Sequence, residues 1–150
     1  PIEHIRADFY PKQENIVKVD ATDIPYDNNT FDLLFCNHVL EHIPNYYKAM
    51  EEIYRVLKPN GIAILQTPYS KLLSQNLEEE NINTDEQRHF FYGENDHYRV
   101  FSEKQFFEDL QKAGFNLQII KNADFFDEKT SFYHGVNTKE DLVQVVKPSN

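Results

Sequence analysis

The chain has 150 residues, 40% hydrophobic and 27% charged, which suits one domain with a buried core and excludes a disordered polymer. A net charge of −10 without a Lys/Arg cluster argues against nucleic acid as a partner, because phosphate binding draws on clustered cations. No apolar run approaches the ~20 residues of a membrane span, Pro1-Ile2-Glu3-His4 is no secretory leader, and one cysteine fits a reducing, cytoplasmic setting.

Two short strands are expected first, Ile2 to Phe9 and Ile16 to Val19, each running into an aspartate, Asp8 and Asp20. The Asn/Asp-rich stretch from Pro25 to Thr30 has turn chemistry. Phe31 to Cys36 is apolar except for Asp32, the pattern of a central parallel strand buried on both faces. Asn45 is placed to cap a helix whose Tyr47, Met50, Tyr54 and Leu57 recur at three- and four-residue spacing. Pro59-Asn60-Gly61 stops it and leads to a strand, Ile62 to Gln66.

Residues 69–98 are polar, aromatic and long, and read as an insertion or lid within a single domain spanning 1–150. Ser102 and Gln105 have capping-box spacing, with Phe101 and Phe106 as a hydrophobic staple, so a helix is expected from Glu103 to Ala113 with Gly114 at its end. Strands follow at Leu117–Ile120 and Leu142–Val146. Strands alternating with helices define an α/β layered protein. Glu78-Glu79-Glu80 is a solvated run, Cys36 a small core hydrophobe, and the spacing of the six histidines does not read as a metal site.

An acidic residue at the tip of a parallel strand is where an open α/β sheet binds a nucleotide-like ligand. Asp8 at one tip suits a pair of ribose hydroxyls. Asp20 at the next suits an exocyclic amine, with the N–H of Ala21 or Thr22 beside a ring nitrogen. The block from Val19-Asp20-Ala21 through Phe31-Asp32 to Val39-Leu40-Glu41-His42-Ile43 resembles the class I S-adenosylmethionine-dependent methyltransferases of the small-molecule type. Arg55-Val56-Leu57-Lys58-Pro59-Asn60-Gly61 resembles the family's turn into its fifth strand, and Ala113-Gly114-Phe115 with the two strands after it resembles its terminal antiparallel pair.

The resemblance implies a Rossmann-like sheet, mostly parallel with a C-terminal antiparallel pair. It implies S-adenosylmethionine as cofactor, with Asp8 at the ribose, Asp20 and Ala21 at adenine, and Asn37 and His38 beside the sulfonium. His38 and His42 are the candidate bases, Glu41 a polar neighbour, and His97 and Arg99 candidate contacts for a small polar acceptor. The family's glycine-rich first turn has no counterpart among glycines 61, 93, 114 and 135. The expectation is therefore an N-terminally incomplete sheet, missing its first strand and helix, that binds the cofactor weakly or not at all alone. Its strands then pair elsewhere, leave an open edge, or borrow a strand from another molecule, a homodimer through the incomplete sheet being one outcome. The alternative is a non-catalytic, self-associating module of the same ancestry. A nicotinamide dehydrogenase also places an acidic residue at a strand tip, but it fails on the Asp20-to-Ile43 block and the terminal pair.

Overall fold

A computed structural model describes residues 3–149. Two short strands, β1 (Ala7–Asp8) and β2 (Val17–Lys18), pair in parallel and form a ribbon of their own. The expected first strand is thus shortened to its last residues, and Ile2 lies outside the described residues.

The main sheet has four strands in the order β3-β4-β8-β7, with β3 (Phe31–Phe35), β4 (Leu57–Ile64), β7 (Asn116–Lys121) and β8 (Asp141–Val146). β3 and β4 run parallel, whereas β8 is antiparallel to both β4 and β7, so the terminal antiparallel pair stands where the sequence placed it. A third, two-stranded parallel piece joins β5 (Tyr69–Ser70) to β6 (Phe101–Ser102) and pins both ends of the 69–98 insertion. The parallel pairs with a terminal antiparallel pair agree with the α/β architecture expected from the sequence.

Helix α1 (Tyr46–Val56) begins where Asn45 Oδ1 accepts from the Lys48 N–H at 3.1 Å. Its face of Ala49, Met50, Ile53 and Val56 is buried with Ala63 and Leu65 from the β4 segment and Val143 and Val145 of β8. Between β4 Leu57 and Ile62 the register with β3 slips, so Lys58 to Gly61 form an irregular bulge, and Asn60 takes a left-handed φ of 63°. The Lys147 ammonium, at the end of β8, donates to the carbonyls of Tyr54 and Leu57 at 2.9 Å each and satisfies the last turn of α1.

Helix α3 (Glu103–Lys112) is capped by Ser102 Oγ, which accepts from the Gln105 N–H at 3.4 Å. The reciprocal half of the expected capping box is not made, because Gln105 Oε1 accepts instead from the Asn76 N–H at 2.8 Å and ties down the insertion. Phe101 and Phe106 do meet, with ring centroids 5.1 Å apart, as a staple requires. Gly114 ends the helix at φ 104°, and a Cβ there would lie 2.9 Å from the Tyr54 ring, so both the conformation and the close approach require glycine.

The expectation that β3 is buried on both faces is corrected. Leu34 packs on the core and Cys36 is buried, but Leu33 is 50% and Phe35 65% exposed. β3 pairs with β4 alone among the described residues, and neither β1 nor β2 pairs with it. Among the described residues the edge of β3 away from β4 is therefore unpaired, with Leu33 and Phe35 exposed on the strand.

Candidate functional site

The register of β1 and β2 matches Ala7 with Val17 and Asp8 with Lys18, so Asp8 and Asp20 stand at the same, C-terminal end of adjacent parallel strands. Each carboxylate is held by a tight local turn. Asp8 Oδ1 accepts from the Tyr10 N–H at 2.7 Å, and Asp20 Oδ1 accepts from the Thr22 N–H at 2.8 Å and the Thr22 hydroxyl at 2.7 Å. Both residues are exposed, and neither Oδ2 accepts a hydrogen bond from the described residues. A turn that fixes one carboxylate oxygen and leaves the other to solvent is a preset acceptor.

The loop after Asp20 is anchored from below. Glu52 on α1 is buried, accepts from the Ile24 N–H at 3.0 Å, and takes Arg55 Nε and Nη2 at 2.9 and 2.7 Å. Arg55 also donates to the carbonyls of Ile24 and Tyr26 at 2.8 and 2.7 Å. The charge-assisted bonds from Arg55 lead the effects that hold the Glu52 carboxyl down at about 2, against the desolvation that would raise it.

At the tip of β3 the Cys36 N–H donates to the Ile64 carbonyl at 2.9 Å and the His38 N–H to the Gln66 carbonyl at 2.7 Å. Asn37 is exposed between them, and His38 takes a left-handed φ of 54°, an uncommon conformation for a residue other than glycine. Burial, with a contribution from Glu41, pushes the Cys36 thiol up to about 12, so it is an unreactive core group.

A 3-10 turn, Leu40–His42, follows. Glu41 within it is only 2% exposed; its Oε2 accepts from the Thr67 hydroxyl at 2.8 Å, and its Oε1 lies 3.6 Å from His38 Nδ1. His42 Nδ1 is 3.3 Å from Asp96 Oδ2, and its ring meets that of His97 edge-on with centroids 4.7 Å apart. His38, Glu41, His42 and His97 thus gather at one end of the parallel strands β3 and β4, the last arriving from the far end of the insertion. Sequence spacing did not bring out this cluster, because His97 is remote in the chain and only the fold delivers it.

Arg99 is not available to a substrate, and that expectation is withdrawn. It is 1% exposed, and five hydrogen bonds occupy its five N–H groups. Nε and Nη2 donate to Glu78 at 2.9 and 2.8 Å. Nη1 donates to the carbonyls of Leu40 and Ile43 at 3.2 and 2.6 Å, and Nη2 to that of Pro44 at 2.8 Å. It is a clamp on the turn that carries Glu41 and His42.

The insertion also contains helix α2 (Asp85–Tyr92), capped by a reciprocal Thr84–Gln87 box. It borders a cleft of about 540 Å³ lined mainly by polar groups, among them Asn76, Glu78, Asn83, Arg88, Tyr98 and Gln105. Among the described residues no helix is long and apolar enough to cross a membrane.

The described residues thus place acidic residues at the tips of two adjacent parallel strands, a histidine-rich turn at the tip of β3 and an antiparallel pair at the end of the main sheet. Residues 2–65 match the family described as a methyltransferase domain. The demethylmenaquinone methyltransferase of Staphylococcus carnosus is 45% identical over 49 residues, which are 33% of this chain and 20% of that protein. The chain's match thus spans about a fifth of that relative. Among solved structures, an S-adenosylmethionine dependent methyltransferase from Mesorhizobium loti aligns with TM-score 0.57 at 12% identity, over 91% of this chain and 71% of its own. The [4+2]-cyclase SpnF aligns with TM-score 0.57 at 17% identity, over 91% and 57%. Residues 2–65 are thus similar to the methyltransferase domain family, and the fold is that of solved methyltransferases, in keeping with the resemblance in the sequence. The cyclase is a reminder that this fold hosts more than one chemistry.

Proposed function

We propose that this chain is the larger part of the catalytic domain of an S-adenosylmethionine-dependent methyltransferase acting on a small polar molecule, with residues 69–98 as an insertion that walls the acceptor side. The observation that carries the reading is the side-by-side placement of Asp8 and Asp20 at the tips of β1 and β2, inside the stretch that matches the methyltransferase domain. In this reading Asp8 accepts from the ribose hydroxyls, Asp20 from the adenine amine, and the Ala21 N–H serves a ring nitrogen. Asn37 and His38 lie beside the sulfonium.

The nucleoside end of the cofactor fits these residues. The methionine end has no glycine turn, since Gly61 sits in β4 and Gly93, Gly114 and Gly135 follow helices α2, α3 and α4 (Glu128–His134). When bound, the cofactor supplies an electrophilic methyl on a good leaving group. The protein's task is then to align the acceptor and take its proton. His38 is the proposed base, steered by buried Glu41 through Nδ1; His42, held by Asp96, is the other candidate. His97 is the proposed acceptor contact. The Staphylococcus carnosus relative is named for demethylmenaquinone, whereas the cleft here is lined by amides, carboxylates and Arg88, which favours a polar acceptor.

A second reading, a non-catalytic self-associating module, is favoured by one feature, the exposed Leu33 and Phe35 beside the unpaired edge of β3. Calorimetric titration with S-adenosylhomocysteine separates the two when sedimentation is measured on the same sample. Saturable binding is expected with Kd of about 100 µM or weaker, lost in Asp8→Ala and Asp20→Ala. Low-micromolar affinity would show that the pocket is complete without further chain. Binding indifferent to both substitutions would remove the nucleoside site, and a stable dimer without binding would favour the second reading.

A further inference from the structure

We propose that Glu41, His42 and His97 form a binding site for a first-row divalent transition cation such as Zn2+. One donor atom from each of the three lies within 4.8 Å of the others. Two imidazoles and a carboxylate are a borderline donor set that suits Zn2+, Fe2+, Co2+ or Ni2+ better than Mg2+ or Ca2+, which prefer oxygen alone. A tetrahedral zinc site has ligand–ligand edges of about 3.3 Å, so the three groups need to draw in by about an ångström. His42 and His97 are only half-buried, while Glu41 is 2% exposed and bonded to Thr67.

Three further observations point the same way. Glu41 is buried, yet within the described residues it has one hydrogen bond, from Thr67, the exposed imidazole of His38 at 3.6 Å, and no Lys or Arg salt bridge. A buried carboxylate is costly without a compensating cation. Asp96 beside His42 Nδ1 is the kind of carboxylate neighbour that metal-ligating imidazoles keep. Most telling, the backbone that carries the ligands is preset. The Tyr98 N–H, next to His97, donates to the Glu41 carbonyl at 2.9 Å, and Arg99 clamps Leu40 and Ile43 on either side of Glu41 and His42. A site whose two halves come from distant segments is thereby locked before any ligand arrives.

With three protein ligands, a tetrahedral ion keeps one position for water or an acceptor oxygen, the arrangement of a reactive site rather than a structural one. The proposal is separate from the nucleoside site, since Asp8 and Asp20 take no part in it; with an ion bound, His42 and His97 serve as its ligands in place of the base and acceptor-contact roles given above.

The test is titration of the whole chain with Zn2+ against a chromophoric chelator, and with Co2+ followed by its visible bands. One equivalent is expected to bind with Kd well below about 100 µM and with the intense bands of low-coordinate Co2+. His42→Ala and His97→Ala should each weaken binding at least tenfold. Asp96→Asn, exposed and not a ligand, should weaken it several-fold without disturbing the fold. His134→Ala on α4 should leave it unchanged. Failure to bind one equivalent, or binding that survives both His42→Ala and His97→Ala, would overturn the site. If either alanine variant unfolds, the wild-type Co2+ spectrum and Asp96→Asn still decide. Because no S-adenosyl compound enters the titration, its outcome is independent of the binding test above.

Discussion

Replacing Arg99 with alanine is expected to cost about 3–5 kcal/mol of folding stability, read as a drop in the urea midpoint. The estimate follows from what is left behind. The carbonyls of Leu40, Ile43 and Pro44 lose their donor in the interior, Glu78 loses a two-pronged partner, and the guanidinium's packing over the Tyr46 ring, 4.6 Å away, leaves a void. Arg99→Lys should recover only a minor part, because an ammonium cannot reach three carbonyls and a carboxylate in one plane. A residue that merely touched substrate would show the opposite pattern, with stability intact and KM raised.

Glu52→Ala should be comparably severe, about 3–5 kcal/mol, since it strands the Ile24 N–H and removes the partner that organises Arg55. Its carboxyl falls from an ordinary value of 4.5 to about 2 in the folded protein. A depressed folded-state value means that the native form holds fewer protons than the unfolded one, so the contribution is complete above about pH 4.5. It is lost progressively as the pH falls from there to about 2. The shift corresponds to at most about 3 kcal/mol, less whatever solvent screening reaches the half-exposed Arg55 side chain. Denaturant midpoints between pH 6 and 2.5 should therefore fall more steeply for the native chain than for Glu52→Gln. Parallel profiles would mean that the pair contributes nothing across that range. Because Glu52 holds the loop that follows Asp20, ligand binding is expected to weaken over the same interval.

Local rules carried much of the fold. The Asn45 cap, the staple of Phe101 and Phe106 and the paired strands β7 and β8 are short-range or periodic signals found in place. Of the stripe read on α1, by contrast, Met50 is the one fully buried on the helix, Tyr47 and Tyr54 flank the core, and Leu57 belongs to β4. Helix α2 had a legible start in Thr84 and Gln87. It went unread because it presents little apolar face, and Tyr92 is its one buried residue. The burial of β3 was misjudged for a different reason. An apolar run says that a strand can be covered on both sides, not that its neighbours are present. In the site, the aspartates at strand tips were legible because they follow strands directly. Arg99 was not, since a guanidinium that satisfies carbonyls has the same sequence appearance as one that awaits a carboxylate. Nor was the approach of His97 to Glu41 and His42, which depends on how the insertion returns to the sheet.

Cys36 gives the molecule a built-in chemical clock. Its thiol is sealed under the tip of β3 and protonated at any ordinary pH, so alkylating reagents can reach it only when that tip lifts away from Ile64. With no other cysteine in the chain, the labelling rate counts openings of this one edge, and any ligand that closes over Asn37 and His38 should slow it.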